Sequence, residues 1–599
     1  MLGSRWIVGV VIIAVGATAG VVAGRRQEPA GVSVAPAEGV TGNWELGEFT
    51  VDVDTTVGSS GGEIAITDGD LAGLTLSIPD AALPDDTPVV IEHAPIVSHT
   101  WGDAVDPATP AIRIEIGDGS YADDAMTVSM PVDFAAGQFA LGLYVDDSGR
   151  LEGIPTTGTA TGGVEILTRH FSDWFISLFD PDDLPDEIFT GYQVARDNWQ
   201  FVNRGSYISP GGICAGMAMS SMWYYLEQYR ANDAPPLFRR YDYPHGTATP
   251  NFELDDAHAI RFASMVQRDG NWASSKRTTG TGVEWVGSPT AWDWFRESRY
   301  LGHDRWQFEA FRYAMYLTGE PQYVTMGRTG GKGGHAIVGY GVSLGTFFDD
   351  DGNEASGGEL WVSDPNAPYA LRSIRYDDAR QEFLAYTSAL RADGTSLAFD
   401  AIGLAGKSAM FDWGLIGTRF QEMVDGVVGD QKFPVPTMHQ WVVDPTTGVG
   451  SWQVTSSPTP NENGLLELAF TLPGGIETWV GLYEDGETAW TESSHQGPNA
   501  NRTAIVQARA TSNTYKLIVL GKADGGLSFI DAVPLVIPAA PVASTTTTMG
   551  TTTTTAAPTT TVAPAPLPTD PPLYDCTACA DGVAGLECRL HCESIGALP

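Results

Sequence analysis

Three stretches of the chain carry three different rhythms of apolar and polar residues. From about Gly42 to Pro181, short runs alternate apolar and polar positions between turn residues. That period of two predicts strands and little helix. Ser60–Pro79, Ala82-Leu83 and Thr87–Ile91 supply successive strands there, and Leu141–Leu151 reads as a hairpin turning at Asp146–Gly149. A helical period then enters. Ala218, Met222, Tyr225, Leu226 and Tyr229 recur behind Cys214, and Trp306–Leu317 shows the same spacing. Gln322–Met326 and Ala336–Val338 predict a hairpin, and Glu359–Pro365 a further short strand. After Lys432, alternation returns in Gln440–Val443, Leu465–Leu472, Thr478–Tyr483, Ala504–Ala508 and Tyr515–Leu520. These runs predict a second sandwich, of the immunoglobulin-like sort.

The two ends follow neither rhythm. Trp6–Val22 is apolar or small behind Arg5, and Ala17-Thr18-Ala19 offers a small-residue cleavage site. The segment reads as a secretory signal peptide, or as an uncleaved membrane anchor flanked by Arg25 and Arg26. Either reading predicts export, with the body of the chain secreted or at the cell surface. Ser544–Pro572 is rich in Thr and Pro and reads as an extended stalk. The tail carries Cys576, Cys579, Cys588 and Cys592. In an exported chain such a set predicts two disulfides in one of three pairings, or alternatively a zinc knuckle with His591. The expected segments are a signal or anchor at 1–36, a sandwich at 37–180 and a mixed domain at 181–425. A second sandwich at 426–540, a stalk at 541–572 and a Cys-rich tail at 573–599 complete the order. Asp180–Glu187, acidic and punctuated by proline, reads as the linker into the mixed domain.

Composition narrows the partners. With 599 residues the chain is too long for one core, and 43% apolar residues suit folded domains. Its formal charge of −41 argues against nucleic acid, which needs a basic face. Asp349–Glu354 has oxygen ligands but misses the EF-hand spacing, so an acidic hairpin tip is expected and no metal or cofactor is assigned. Asn501-Arg502-Thr503 is a glycosylation sequon.

Of the 5 cysteines, only Cys214 lies outside the tail. Pro210, Gly211 and Gly212 turn the chain into it, and the helical pattern starts at once. Free N–H groups and the helix dipole at such a position favour thiolate over thiol. The alternative is a small buried cysteine packing at a helix start. His335 follows the glycine-rich Gly327–Gly334 and opens an apolar strand, and Asp364 ends the next strand with Asn366 two residues on. This order resembles the papain-like cysteine peptidase superfamily over roughly Phe189 to Phe420. The resemblance implies an α+β papain-like central domain, so the expected fold is multidomain, with that domain flanked by the two all-β sandwich domains read from the alternation. It also implies a peptide or amide hydrolase acting on protein or peptide substrates. Cys214 would be the nucleophile, His335 its acid–base partner and Asp364 the orienting group, with Asn366 as the alternative third member.

The match departs from papain in places. Papain carries an oxyanion-donating Gln six residues before the Cys, and Ile208 stands there in this chain. Asn203, or Gln200, is the replacement amide expected to join the Cys214 N–H as oxyanion donor. The Gly-Ser-Cys-Trp neighbourhood is missing too, which points to a divergent bacterial-type branch. Two other functions fit the same residues: a wall amidase or transglutaminase-like acyl transferase, and an inactive surface adhesin.

The first β-rich region also carries a resemblance. Its order of Gly-Gly, strand, Ile-Pro, Ala-Leu, Thr and strand is similar to the ZU-five-type β-sandwich of ankyrins and netrin receptors. In some relatives a His-Phe-Ser near the end self-cleaves before the Ser. His170-Phe171-Ser172 matches it, so His170 and Ser172 are the candidate self-cleavage pair. A plain strand end with a buried Phe is the alternative.

Overall fold

The computed structural model describes residues 35–541, apart from 160–161, 204, 207, 210–211, 242–256, 271–274, 280–281, 287–302, 329–333, 349–351, 391–395, 430–431, 433–436, 472–476, 485–491, 497–501, 508–510 and 524–525. The leader, the stalk, the tail cysteines and Asn501 lie outside the described residues.

Two antiparallel sheets form the first β region. One runs in the order Leu151–Ile154, Phe139–Val145, Trp174–Phe179, Ala111–Ile116, Thr87–Ala94, Thr50–Val57. The other runs Thr156–Gly158, Val164–Thr168, Met126–Met130, Thr75–Ile78, Gly62–Ala65. Ala111–Ile116 shows the expected alternation, with Ile112 and Ile114 buried and Glu115 exposed. Phe139–Val145 does not: every residue in it is buried. The reason is a helix, His303–Thr318, which crosses the sheet from the mixed domain. Trp306 Nε1 donates to the Ala140 carbonyl at 3.1 Å, and Tyr313 stacks on Phe179 with ring centroids 4.1 Å apart. One hydrophobic core therefore runs across residue 180 without a break. The expected acidic linker is part of it. Pro181 and Leu184 are buried, and the Arg312 guanidinium donates to the carbonyls of Pro181, Leu184 and Pro185. Three carbonyls on one buried guanidinium correct the picture of a free linker to a docked strap.

The mixed domain is built on a further antiparallel sheet, in the order Glu382–Phe383, Arg372–Asp377, Glu354–Ser363, His335–Phe348, Gln322–Gly327, Ala401–Leu404, with Glu187–Phe189 also pairing to His335–Phe348. The hairpin predicted from Gln322–Met326 is present, with Met326 opposite His335. Helix Cys214–Trp223 packs on this sheet and continues as a π-helical stretch, Tyr224–Arg230. Sequence spacing marks one buried face here, yet every residue from Gly216 to Leu226 is buried. Helices His258–Asp269 and Trp413–Val424, absent from the sequence reading, cover the outer side. At Gly216 the crossing is too close for a side chain: a Cβ there would meet the Ala263 carbonyl oxygen at 1.8 Å.

Past residue 436 lie two four-stranded antiparallel sheets. One orders Gly450–Val454, Thr437–Val443, Leu465–Thr471, Arg502–Gln507; the other orders Glu492–Gln496, Glu477–Glu484, Asn513–Ala523, Gly526–Ile537. The five strands expected in this region are present, together with Gly450–Val454, Glu492–Gln496 and Gly526–Ile537. The described chain is thus mostly β-sheet, in several sheets, with few helices.

Candidate active site

Cys214 is the first residue of its helix, preceded by Ile213 as the cap residue. Gly212 makes the turn possible with a φ of +134°, a value side-chain-bearing residues rarely adopt. The N–H groups of a first helical turn have no intrahelical acceptor, so they face whatever occupies the space ahead of the helix. His335 opens its strand opposite Met326, and Asp364 follows directly on Glu354–Ser363. Adjacent antiparallel strands thus bring residues 29 apart in sequence into contact.

His335 Nε2 donates to Asp364 Oδ1 at 2.8 Å, and the ring also hydrogen-bonds the Cys214 side chain. With Nε2 taken by Asp364, Nδ1 is the nitrogen left for sulfur. Both His335 and Asp364 are buried, at 5% and 1% exposure, whereas Cys214 is half-buried. Phe399 stacks on the imidazole, ring centroids 5.6 Å apart.

The electrostatics favour a thiolate–imidazolium pair. Burial alone would push the Cys214 thiol up, but the hydrogen bond and charge of His335, with the Ala336 and Ala215 N–H groups, bring it below its ordinary value. Burial would likewise push His335 down. Its hydrogen bonds to Asp364 and Cys214 outweigh that and raise it to about 10. Asp364 is pushed up by burial, yet its bonds to His335, Ser388 and Tyr386 hold it below the usual carboxylate range.

A directed chain of hydrogen bonds connects the cysteine turn to the carboxylate. The Ile213 N–H donates to Asn203 Oδ1 at 2.6 Å, and Asn203 Nδ2 donates to Asn366 Oδ1 at 3.0 Å. Asn366 Nδ2 donates to Ser388 Oγ at 2.8 Å, and Ser388 donates to Asp364 Oδ2 at 2.7 Å. Tyr386 donates to the same oxygen at 2.7 Å, and the Asn366 N–H reaches Oδ1 at 2.8 Å. Each amide's orientation is fixed by its neighbour. Asn366 Nδ2 lies 3.4 Å from His335 Nε2, but both are donors there, so Asp364 is the ring's acceptor.

The sequence-predicted residues Cys214, His335, Asp364, Asn366 and Asn203 are all brought together. Asn203 is a strut as well as a candidate donor: one Nδ2 hydrogen is used on Asn366, and the other has no acceptor among the described residues. Gln200 buries Oε1 without a hydrogen-bond partner among the described residues. His170 and Ser172 are elsewhere, in the loop between Val164–Thr168 and Trp174–Phe179, which belong to opposite sheets of the first sandwich. His170 stacks on Tyr121, centroids 4.8 Å apart, and burial lowers its pKa. Its carbonyl accepts from Tyr144 and Thr168 hydroxyls. The expected strand end is therefore a crossing loop.

Sequence reasoning missed Tyr386, Ser388 and Phe399. They lie on the hairpin Tyr386–Leu390 with Ser396–Phe399. Alternation in Tyr386–Leu390 marks a strand, but no local signal says that the strand folds over Asp364. The chain matches no family model, and no curated protein shows significant similarity to it.

Proposed function

We propose that this chain is an exported cysteine peptidase of papain-like type, cleaving peptide or amide bonds through a thioester. One observation carries the reading: a single imidazole bonded to a cysteine at a helix start on one side and to a buried, four-donor carboxylate on the other. The Cys214 thiolate attacks the substrate carbonyl carbon, and the carbonyl oxygen takes the negative charge. The Cys214 N–H and the remaining Asn203 hydrogen serve that oxygen. The tetrahedral adduct collapses, the C–N bond breaks, and His335 passes its proton to the departing amine. Neutral His335 then takes a proton from water, whose oxygen attacks the thioester and releases the acid and Cys214. Asp364 keeps the ring in the tautomer and orientation that both half-reactions use.

Asp364 in the third position also favours a second reading. Wall amidases and transglutaminase-like acyl transferases share a Cys-His-Asp set; the amidase would pass the acyl group to water and the transferase would pass it to an amine. Mass analysis of products from a peptide library and from purified wall fragments, with and without an added primary amine, tests both. Cleaved peptides support the peptidase. Amine adducts or cut wall fragments favour the second. Equal yields from wild type and Cys214→Ala remove both.

A further inference from the structure

Glu152 belongs to the first sandwich, on strand Leu151–Ile154, yet its carboxylate is spent on the mixed domain. Oε1 accepts from the backbone N–H groups of Lys407, Ser408 and Ala409 at 3.1, 2.7 and 3.2 Å. Oε2 accepts from the Ser408 hydroxyl at 2.7 Å. Lys407 adds a charge and itself pairs with Glu320 at 2.6 Å. Even a half-buried carboxylate is costly unless so surrounded. An apolar side chain would have sufficed to pack two sheets, so this arrangement fixes the path of one loop. Gly406, at φ +65°, lets that loop turn beside the Gly153 carbonyl. Three more sandwich groups grip it: the Tyr121 hydroxyl on the Ser408 carbonyl, the Arg169 N–H on the Ala409 carbonyl and the Arg169 guanidinium on the Met410 carbonyl.

The gripped loop connects to elements that pack on the Cys214 helix. The Ala405 N–H donates to the Tyr323 carbonyl at 3.1 Å, and the Phe411 ring meets the Tyr323 ring edge-on with centroids 5.0 Å apart. Tyr323 is buried on strand Gln322–Gly327, and that strand packs against the Cys214 helix. Beyond Phe411, Asp412 caps helix Trp413–Val424 through the Leu415 N–H at 2.8 Å. That helix packs on the Cys214 helix through Phe420 against Trp223, centroids 5.1 Å apart.

We propose that Glu152 is a positioning residue for Cys214, acting through the 405–412 loop, Phe411 and Tyr323, so that the sandwich is a working part of the cysteine centre. This deepens the peptidase reading and rests on it. The test uses the full chain and compares wild type with Glu152→Gln, Glu152→Asp, Ser408→Ala and Tyr121→Phe. Two readouts are taken: the pH profile of Cys214 alkylation by iodoacetamide, and amide hydrogen exchange across 401–424. Glu152→Gln is expected to slow alkylation at pH 7 by about tenfold, the size of one charge-assisted hydrogen bond. The profile should move toward that of an ordinary thiol and exchange across 401–424 should rise, with partial rescue in Glu152→Asp. If Glu152→Gln does not fold, the milder Ser408→Ala and Tyr121→Phe must show the same two changes at smaller size. Unchanged profiles in folded variants overturn the proposal, as does faster exchange without any change in alkylation. A wild-type Cys214 that titrates as an ordinary thiol removes the peptidase reading instead, and with it any role for Glu152 in positioning a nucleophile.

Discussion

Asp364 meets His335 through one 2.8 Å hydrogen bond on a carboxylate that already holds the Asn366 N–H, Tyr386 and Ser388. Asn366 reaches the same imidazole nitrogen only at 3.4 Å and gives its hydrogen to Ser388. Asp364→Asn is therefore expected to lower kcat by roughly 10²- to 10⁴-fold while the chain stays folded. Asn366→Ala should cost less than about tenfold, the loss of one hydrogen bond in a shared network. Steady-state kinetics on both variants decide the assignment, and the reverse order would make Asn366 the third member.

The pH dependence follows from the same pair. Cys214 is held below its ordinary thiol value and His335 is raised to about 10. The thiolate–imidazolium form thus persists from the lowered thiol value up to about pH 10, above which the ring loses its proton. Iodoacetamide alkylation is expected to reach its plateau well below the ordinary thiol value of about 8.5. Turnover should fall on the alkaline side only near pH 10. A single rise in alkylation centred at the free-thiol value would sink the ion-pair account.

Asp304 offers a test of stability apart from catalysis. It stands at the start of helix His303–Thr318 and accepts the Phe383 N–H at 3.0 Å. Burial, with Glu382 and Asp400 adding to it, raises its carboxyl to about 6. A carboxyl raised above its unfolded value of 3.8 contributes most below that value, and the contribution is lost as pH climbs through about 6. Asp304→Asn keeps the acceptor and removes the ionisation cost. It should raise stability at pH 8 by roughly 1–2 kcal/mol and leave it nearly unchanged at pH 3.5. Urea unfolding at the two pH values checks this, and equal effects at both would refute the titration.

The crossing loop at His170 sets a demand on the self-processing reading. Cleavage before Ser172 would leave Trp174–Phe179 on the carboxyl-terminal piece, paired between Phe139–Val145 and Ala111–Ile116 of the other piece. The two pieces should therefore co-purify and separate only in denaturant. His170, its pKa lowered by burial, is the imidazole that this reading requires as base for the Ser172 hydroxyl. Ser172→Ala should give one intact chain, and Ser172→Cys should still yield two. Intact-mass measurement on wild type after prolonged incubation settles it, because a single full-length species excludes cleavage.

The sequence by itself determined the order of strand-rich and helical stretches, and it marked Cys214 and His335 as the candidate pair. Period-two alternation in Ala111–Ile116 and the glycine turn into Cys214 are local, and local patterns follow from local sterics and solvation. Chain order marked His335 and Asp364, because a residue opening or ending a strand is placed by that strand's pairing. Tertiary structure decided the rest. The imidazole bonds Asp364 and not Asn366, and a hairpin from Tyr386 to Phe399 brings two hydroxyl donors to that carboxylate. The full burial of Phe139–Val145 came from a helix more than 150 residues downstream. Glu152 reads as one polar residue in a strand, and its partners at Lys407, Ser408 and Ala409 lie about 255 residues away. No period or spacing encodes such contacts, because they depend on which faces meet once the sheets have formed.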